Sequence, residues 1–437
     1  MQSEVKTAQK RISPREHPRY ETRRVILSGW YGQENLGDEV ILQSLVSGLR
    51  SRIGPLSISV LSEKPEVIRE SYGLRSLGKT NRVLDTVRKI LEISRADIFI
   101  LGGGGILMDY GDTNHNVSKW LKDMRIAQSF GVPTMACGIG VGKIWVDESK
   151  KLISEVLSRA DRICVRDEHS SIALSTLGVH GNVILAADAA LLLPQLEKFN
   201  RRRSRGSGGP TIVVCLRHWY VTRNETVNEE VFDGMKASLA RLLSDLSSIE
   251  HATIKFVPLC SFKRKNDDDT EVAQEVMELM GNPSHVIILE HVPIADEFIQ
   301  ILNDSDLLIG MRLHSLILAS AAQVPCIGLN YDDKVINFMS SIGSSDWTLS
   351  LDEANYENLR RLVDSALKQS GQNPIITNLI EERKRAARVN IDIAVELLQT
   401  HHSPRRQKVR RYPIAIFLIA RRIFDRLKEF ASRRPKR

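Results

Sequence analysis

The sequence contains no apolar segment that approaches the roughly 20 residues with which a helix crosses a bilayer. Its first stretch, Met1 to Arg24, is polar and charged without an apolar region, so we expect no secretory signal. Cysteine is also scarce, and no two cysteines form a CxxC pair. The five cysteines are Cys137, Cys164, Cys215, Cys260 and Cys326. This set indicates reduced, core-packing residues of a cytoplasmic protein and neither a zinc site nor a disulfide framework.

The body of the chain lacks an excess of positive charge. The net charge is +8, but residues 403–437 contain 13 Lys or Arg and two acidic residues, a net +11, so the other 402 residues sum to −3. A slightly negative net charge over residues 1–402 gives no sign of nucleic-acid binding. We therefore expect no nucleic-acid partner.

The positive charge is concentrated in a C-terminal tail, residues 403–437. Between Ile414 and Phe430, apolar side chains recur at helical spacing with basic residues between them. This pattern predicts a basic amphipathic helix that binds an anionic membrane surface without spanning it. A helix packed on the core with a solvated basic face is the alternative.

Strands and helices alternate in two series, which favours parallel sheets. Buried strands are predicted at 24–29, 56–61, 97–101, 133–140, 162–167 and 182–187, and then at 211–216, 253–257, 286–289, 306–309 and 326–329. The series are separated by a linker of arginine, serine and glycine. The predicted organisation is an arm (1–23), an N-terminal Rossmann-like domain (24–198), the linker (199–210), a C-terminal Rossmann-like domain (211–402) and the tail. Two such α/β domains facing a cleft form a glycosyltransferase B-like architecture. The last predicted helix, 377–400, can pack against either domain.

The first strand runs into a glycine-bearing loop and then a helix, but G-x-G-x-x-G and a P-loop lysine are both absent. A strand, loop and helix in this order still place backbone N–H groups beneath an anionic ligand. Asn35 and Asp38 at the helix entrance are therefore candidate substrate-binding residues. Helix capping is the alternative role for each.

Four glycines, 102–105, follow the third strand. Glycine lets a ligand approach the backbone without a side chain in the way, so Gly103 and Gly104 are candidate binding residues. The polar residues Asp109, Asp112 and His115 come next and can reach the same cleft, although a surface position is the alternative for His115.

Arginines stand at the carboxyl ends of several predicted strands. Arg166 follows one strand, with Asp167 beside it and Asp188 after the next strand, and Arg217 follows the first strand of the second series. These ends are where open α/β sheets bind ligands. A salt-bridged corner is the alternative for Arg166 and Asp167.

The turn after the strand 306–309 combines an arginine, Arg312, with a histidine, His314, and the helix begins near Ser315, a possible N-cap. A guanidinium can hold a carboxylate or phosphate with two hydrogen bonds, and an imidazole can transfer a proton near neutral pH. The turn is thus a candidate for anion binding and acid–base chemistry, and Ser315 is a candidate substrate-binding residue beside Arg312. A surface arginine and a capping histidine at an ordinary junction are the alternative.

Together these motifs resemble those of the polysaccharide pyruvyl transferase family. The resemblance rests on Gly32 with residues 35–39, on the glycines 102–105, on residues 165–167 with Ser170, and on residues 311–315. It covers about residues 24–345 and leaves out the arm and the tail.

The resemblance implies an enzyme that moves the enolpyruvyl unit of phosphoenolpyruvate onto a sugar of a surface polysaccharide or its lipid-linked precursor. The product is a pyruvate ketal, with release of phosphate, and neither a metal nor a cofactor is implied. Arg312, with Arg166 or Arg217, is expected to bind the donor anion, and His314 to act as the general acid. The charge of Arg312 disfavours a second cation whereas bound phosphate favours it, so we expect His314 to be protonated mainly in the substrate complex. The tail places the acceptor at the cytoplasmic face of the membrane.

Two other functions remain open at this point. A glycosyltransferase that uses a nucleotide sugar fits the same architecture, with Glu290 as a candidate for ribose binding. A non-catalytic scaffold of envelope assembly, recruited by the tail, also fits. Fold alone does not separate these functions.

Overall fold

The computed structural model describes residues 22–78, 83–110, 113–197, 209–219, 228–261, 268–283, 286–368 and 374–400. The tail 403–437, most of the linker and nearly all of the arm lie outside these ranges, as does Asp112. No helix in the described ranges has the length and apolarity that crossing a membrane requires.

The N-terminal half forms one parallel sheet of seven strands in the order β3-β2-β1-β4-β5-β6-β7. The strands are β1 (Arg23–Ser28), β2 (Leu56–Ser62), β3 (Arg75–Gly78), β4 (Ile98–Leu107), β5 (Thr134–Val141), β6 (Arg162–Val165) and β7 (Val183–Leu185). The helices are α1 (Leu36–Ile53), α2 (Pro65–Tyr72), α3 (Val83–Ser94), α4 (His115–Ser129), α5 (Asp147–Leu157), α6 (Glu168–Thr176) and α7 (Pro194–Glu197), with a short 3-10 turn at Ala189–Leu192.

The C-terminal half forms a second parallel sheet of six strands in the order β10-β9-β8-β11-β12-β13. The strands are β8 (Thr211–Cys215), β9 (Thr253–Phe256), β10 (Val286–Ile288), β11 (Leu307–Gly310), β12 (Cys326–Asn330) and β13 (Thr348–Ser350). The helices are α8 (Glu229–Ile249), α9 (Asp269–Leu279), α10 (Ala295–Asn303), α11 (Leu313–Ala321), α12 (Asp333–Ser341), α13 (Tyr356–Lys368) and α14 (Pro374–Thr400).

The predicted class, two parallel-sheet α/β domains, is confirmed. The apolar runs chosen as strands form strands because a parallel sheet is buried on both faces. The short edge strands β3 and β13 were not predicted, since their sequences, Arg-Ser-Leu-Gly and Thr-Leu-Ser, lack a continuous apolar run.

The glycine run 102–105 is part of β4 and not a loop after it. The strand continues to Leu107 because β5 pairs with it along this length, with Gly104 opposite Ile139. A register shift between Gly104 and Leu107 marks an irregularity in the pairing. Tertiary pairing thus overrides the low strand propensity of glycine.

The two halves share one large apolar cluster, which includes Leu45 of α1, Leu308 of β11 and Leu316 of α11. The final helix, α14, adds Ile391 to this cluster, and Gly48 of α1 makes room for it, since a Cβ there would lie 2.8 Å from Ile391 Cδ1. The sequence left open which domain this helix supports, and α14 packs on α1 and the N-terminal sheet. The core therefore holds the carboxyl ends of both sheets next to each other.

Candidate active site

The loop between β1 and α1 is held by its own helix and by the other half of the chain. Glu39 accepts hydrogen bonds from the backbone N–H groups of Gly32 and Gln33. Asn35 caps α1, with its Oδ1 atom accepting from Gly37 N at 3.1 Å. The next amide, Leu36 N, donates to Leu259 O of the C-terminal half at 2.9 Å. The N-terminus of α1 is thus fixed at the boundary between the sheets.

The glycines of β4 allow this helix to approach the strand. Gly104 has a φ of +87°, and a Cβ there would lie 2.9 Å from Asp38 Oδ1. A Cβ at Gly103 would lie 3.2 Å from the backbone oxygen of Gly138 on β5. Here the glycines make room for neighbouring strands and for Asp38, whereas the sequence predicts that they make room for a ligand.

Asp38 lies in the first turn of α1 and is 8% exposed. Within the described residues no hydrogen bond involves its carboxyl group. Burial, with the nearby negative charges of Glu39 and Asp188, raises its pKa well above the usual value, although Arg166 and Arg312 act in the opposite direction. The positive end of α1 favours a carboxylate by only about 0.3–1 kcal/mol at an exposed position. Burial therefore favours the neutral form of the Asp38 carboxyl group.

Arg166 lies at the end of β6 with its side chain 8% exposed. Its Nη1 atom donates to Asp188 Oδ2 at 3.2 Å, and its Nε atom donates to Asp167 Oδ2 at 3.3 Å. The guanidinium lies against Gly140, where a Cβ would be 2.7 Å from Nε. Arg166 thus forms the salt-bridged corner that was the alternative, and its role in binding a substrate stays a prediction.

Arg312 lies between β11 and α11 and is held by a buried carboxylate. Its Nε and Nη2 atoms both donate to Asp269, which is 2% exposed. The same carboxylate accepts from Leu259 N and Cys260 N, each at 3.0 Å. Asp269 therefore joins Arg312 to the segment that pairs with the start of α1. Among the described residues no hydrogen bond involves Arg312 Nη1, which leaves that edge of the guanidinium for an anion.

Ser315 has a local structural role. The helix α11 begins at Leu313, so its N-cap is Arg312 and not Ser315 as predicted. The Ser315 side chain is fully buried, and its Oγ atom donates to Arg312 O at 2.6 Å. It tightens the turn that carries the arginine, and a role of Ser315 in substrate binding stays a prediction.

His314 crosses from the C-terminal half to the N-terminal half, with its side chain 16% exposed. Its ring lies against the start of α1, where a Cβ at Gly37 would be 2.0 Å from Nδ1. The buried Nε2 atom lies 3.6 Å from Asp188 Oδ2, a distance too long for a hydrogen bond but short enough for electrostatic attraction.

Asp188 follows β7 and connects the two basic groups. Burial by itself would raise the pKa of Asp188, but the nearness of His314 and the charge of Arg166 lower it to about 2. Its other oxygen, Oδ1, accepts from Ala190 N at 3.0 Å. An ionised Asp188 therefore lies between the guanidinium of Arg166 and the imidazole of His314.

Arg217 lies at the end of β8, on the same edge of the second sheet. Its Nη1 atom donates to Tyr331 Oη at 2.7 Å, and the guanidinium carbon lies 4.8 Å from the centre of the tyrosine ring. Lys334 Nζ also lies 4.8 Å from that ring. Burial would raise the pKa of Tyr331, but the charges of Arg217 and Lys334 lower it. Arg217 thus belongs to a basic patch beside Arg312.

Most of the predicted site residues lie close together at the boundary between the two sheets. These residues are Asn35, Asp38, Gly103, Gly104, Arg166, Arg312 and His314, with Arg217 beside them. Asp109 does not join them, since it is fully buried and accepts from Trp145 N, Val146 N and Ser149 Oγ. His115 is exposed at the start of α4.

Sequence reasoning missed Asp269 and did not assign a partner to Asp188. Asp269 lies in an acidic run, residues 267–269, that is typical of a solvated loop. Its position before a helical pattern was the available signal, because such residues commonly cap helices. The observed N-cap is Asp268, which leaves the Asp269 carboxylate for Arg312.

A family model described as polysaccharide pyruvyl transferase matches residues 35–333, a span that contains every candidate residue above. No curated protein sequence matches the chain. Among solved structures, the chain is similar to the UDP-GlcNAc 2-epimerase of Methanocaldococcus jannaschii, at 14% identity and a TM-score of 0.56 over 86% of this chain and 100% of that one. The UDP-GlcNAc 2-epimerase of Neisseria meningitidis, solved bound to UDP-GlcNAc, has 12% identity and a TM-score of 0.54, with 86% and 100% covered. These likenesses confirm the glycosyltransferase B-like fold.

Proposed function

Since the chain belongs to the polysaccharide pyruvyl transferase family, we propose that it transfers the enolpyruvyl unit of phosphoenolpyruvate to a saccharide and forms a pyruvate ketal. The proposed acceptor is a sugar of a surface polysaccharide or of its lipid-linked precursor. The carbon skeleton is neither oxidised nor reduced in this reaction, so the proposal includes no redox cofactor.

The reaction balances with two acceptor hydroxyls and one donor. A proton adds to the methylene carbon C3 of the donor, and C2 becomes an oxocarbenium-like centre. One hydroxyl adds to C2, the C2–O bond to phosphate breaks, and the second hydroxyl closes the ketal ring. The two hydroxyl protons are accounted for by the new C–H bond and by the hydrogen phosphate that leaves.

His314 is the proposed donor of the proton to C3, and its contacts carry the proposal. The ring lies between the first turn of α1 and the ionised Asp188, with Arg166 and Arg312 nearby. An imidazole is the side chain that most readily transfers a proton near neutral pH. The ring of His314 therefore lies next to two groups that can bind the anionic donor.

The charges of the cleft support protonation of His314 when the donor is bound. Arg312 is paired with Asp269, and Arg166 is paired with Asp188 and Asp167, so neither arginine adds a full uncompensated charge. A donor that carries a phosphate and a carboxylate needs more positive charge than these pairs supply. A protonated His314 and the patch around Arg217 supply it.

The tail is proposed to bring the enzyme to the inner face of the cytoplasmic membrane, where a lipid-linked acceptor would be presented. Its 13 basic residues and its predicted amphipathic helix support this role. Each basic residue close to an anionic surface contributes about 1 kcal/mol.

Ligand-dependent thermal stability tests the donor. A ligand that binds only the folded protein raises its melting temperature. We expect phosphoenolpyruvate to raise the melting temperature and UDP and GDP not to raise it. Arg312→Lys should abolish the rise with phosphoenolpyruvate, because lysine keeps the charge but lacks the planar guanidinium that can hold Asp269 with two hydrogen bonds and still present a third nitrogen to the donor. Arg312→Ala is less informative because it leaves Asp269 as a buried, unpaired charge. No shift with phosphoenolpyruvate would refute the proposal.

A nucleotide-sugar-dependent glycosyltransferase is the second candidate, favoured by the shared fold alone. The Neisseria meningitidis epimerase of this fold was solved bound to UDP-GlcNAc. Glu290, the residue considered for ribose binding, is exposed two positions after the edge strand β10. A rise in melting temperature with a nucleotide alone would favour this function. Binding of a donor without any turnover would favour a non-catalytic scaffold.

A further inference from the structure

Ketal formation requires more proton transfers than one imidazole performs in a single cycle. C3 must gain a proton, two hydroxyls must each lose one, and the departing phosphate oxygen must gain one. His314 can give its proton to C3 and recover it from the first hydroxyl, which leaves the second hydroxyl and the phosphate without a partner. The inference below rests on the proposed function and assigns this second pair of transfers.

The group that remains is the carboxyl of Asp38. It lies one residue after Gly37, on which the His314 ring packs, so Asp38 belongs to the same first turn of α1 that His314 contacts. Its Oδ1 atom lies over Gly104, whose missing side chain leaves room for it. It faces Arg166 and Arg312, the two groups assigned to the donor anion.

Asp38 is not committed to holding the fold. Its neighbour Glu39, also in the first turn of α1, accepts from two backbone amides and keeps the preceding loop in place. The Asp38 carboxyl has no such hydrogen bond within the described ranges and remains slightly exposed. One of the two adjacent carboxyls is therefore structural, and the other is available for chemistry.

We propose that Asp38, in its neutral form, donates its proton to the phosphate oxygen as the C2–O bond breaks, and that its carboxylate then accepts the proton of the second hydroxyl. The electron pair of the C2–O bond passes to the phosphate oxygen, and hydrogen phosphate leaves. The second hydroxyl oxygen forms the new bond to C2. At the end both Asp38 and His314 hold the protons with which they began.

Charge balance supports the neutral form of Asp38 without reference to the donor. The titratable groups that face it are Tyr31 and Glu39 on its own segment, Asp188 after β7, Arg166 after β6, and Arg312 and His314 from the second sheet. Each arginine among them already has a carboxylate partner. An ionised Asp38 would be an unpaired buried charge, and it would also repel a bound phosphate and carboxylate.

The affinity of the protein for phosphoenolpyruvate, measured between pH 6 and about pH 9 by calorimetry, tests this assignment. The variants are Asp38→Asn, which has the shape of the neutral acid but cannot give up a proton in this way, and Asp296→Asn. Asp296 is an exposed residue in the first turn of α10, so it is a matched control for the chemical change. Phosphate release from phosphoenolpyruvate is measured in parallel, with water or methyl hexopyranosides as acceptor.

We expect Asp38→Asn to bind phosphoenolpyruvate at pH 6 as tightly as wild type and Asp296→Asn do, because asparagine has the shape and the charge of the neutral acid. Phosphate release by Asp38→Asn should nevertheless fall by about 100-fold or more, whereas Asp296→Asn should release phosphate at the wild-type rate. Phosphate release by Asp38→Asn near the wild-type rate, or a clear loss of its affinity for phosphoenolpyruvate at pH 6, would overturn the assignment. Absence of phosphoenolpyruvate binding by wild type at every pH would instead refute the proposed function itself.

Discussion

Asp269→Asn should strongly destabilise the protein, although it changes one oxygen to a nitrogen. Asp269 is 2% exposed, and Arg312 donates to it with two nitrogen atoms, so the variant leaves a buried guanidinium without a counter-charge. Breaking such a buried pair costs about 3–5 kcal/mol. At about 2–4 °C for each kcal/mol in a domain of 150–250 residues, the melting temperature should fall by roughly 6–20 °C.

The matched control is Arg312→Gln combined with Asp269→Asn, which removes both charges. The asparagine oxygen can still accept from Leu259 N and Cys260 N, the two amides that Asp269 holds. Because replacing both members of a buried pair costs less than removing one, the double variant should regain at least half of the lost melting temperature in calorimetry. It should nevertheless fail to bind phosphoenolpyruvate. A single variant that melts within about 2 °C of wild type, or a double variant no more stable than the single one, would refute this reasoning.

Four further outcomes are expected. His314→Gln should still be stabilised by phosphoenolpyruvate but lose about 100-fold or more of its turnover, and near-normal turnover would show that another group protonates C3. The pKa of Asp188 is lowered from 3.8 to about 2, so its ionised form contributes about 2 kcal/mol to the free energy of unfolding above about pH 4, and this contribution is lost as the pH falls toward about 2. The melting temperatures of Asp188→Asn and wild type should therefore converge over that range. A constant difference between them would contradict the pairing of Asp188 with its basic neighbours. Gly104→Ala should lower the free energy of unfolding, measured with a chemical denaturant, by about 1–3 kcal/mol because its φ is +87°. Gly181→Ala, where no atom lies within 4 Å of the added Cβ, should leave that free energy nearly unchanged. Removal of residues 403–437 should abolish sedimentation with anionic phospholipid vesicles and leave the melting temperature unchanged, and unchanged sedimentation would remove the membrane role of the tail.

The sheets could be predicted from the sequence because their central strands are continuous apolar runs. The edge strands β7 and β10 were also predicted, but the edge strands β3 and β13 could not be. These two have three or four residues each with few apolar side chains, and they form only because a neighbouring strand offers its hydrogen bonds. The glycines of β4 misled the prediction for the same reason. Once β4 continues to Leu107, Asp109 is carried past the cleft and into the core.

The site could be predicted in part, because a residue at the carboxyl end of a parallel strand must lie at the edge that binds ligands. That rule placed Arg166 and Arg312 correctly relative to their own sheets. It could not show that Asp188 of one half faces His314 of the other, because that contact depends on how the shared core packs. The partner of Arg312 was equally hidden, since Asp269 lies in an acidic run far along the chain.

The most direct test of the central claim is to follow phosphoenolpyruvate that is isotopically labelled at C2, in the presence of the enzyme and saccharide acceptors. We expect the labelled carbon to appear as a ketal carbon on the sugar, with one phosphate released for each ketal formed, and His314→Gln to form both products at least about 100-fold more slowly. A labelled donor that stays intact while a nucleotide sugar added to the same mixture is consumed and its nucleotide diphosphate released would contradict the account and identify a glycosyltransferase.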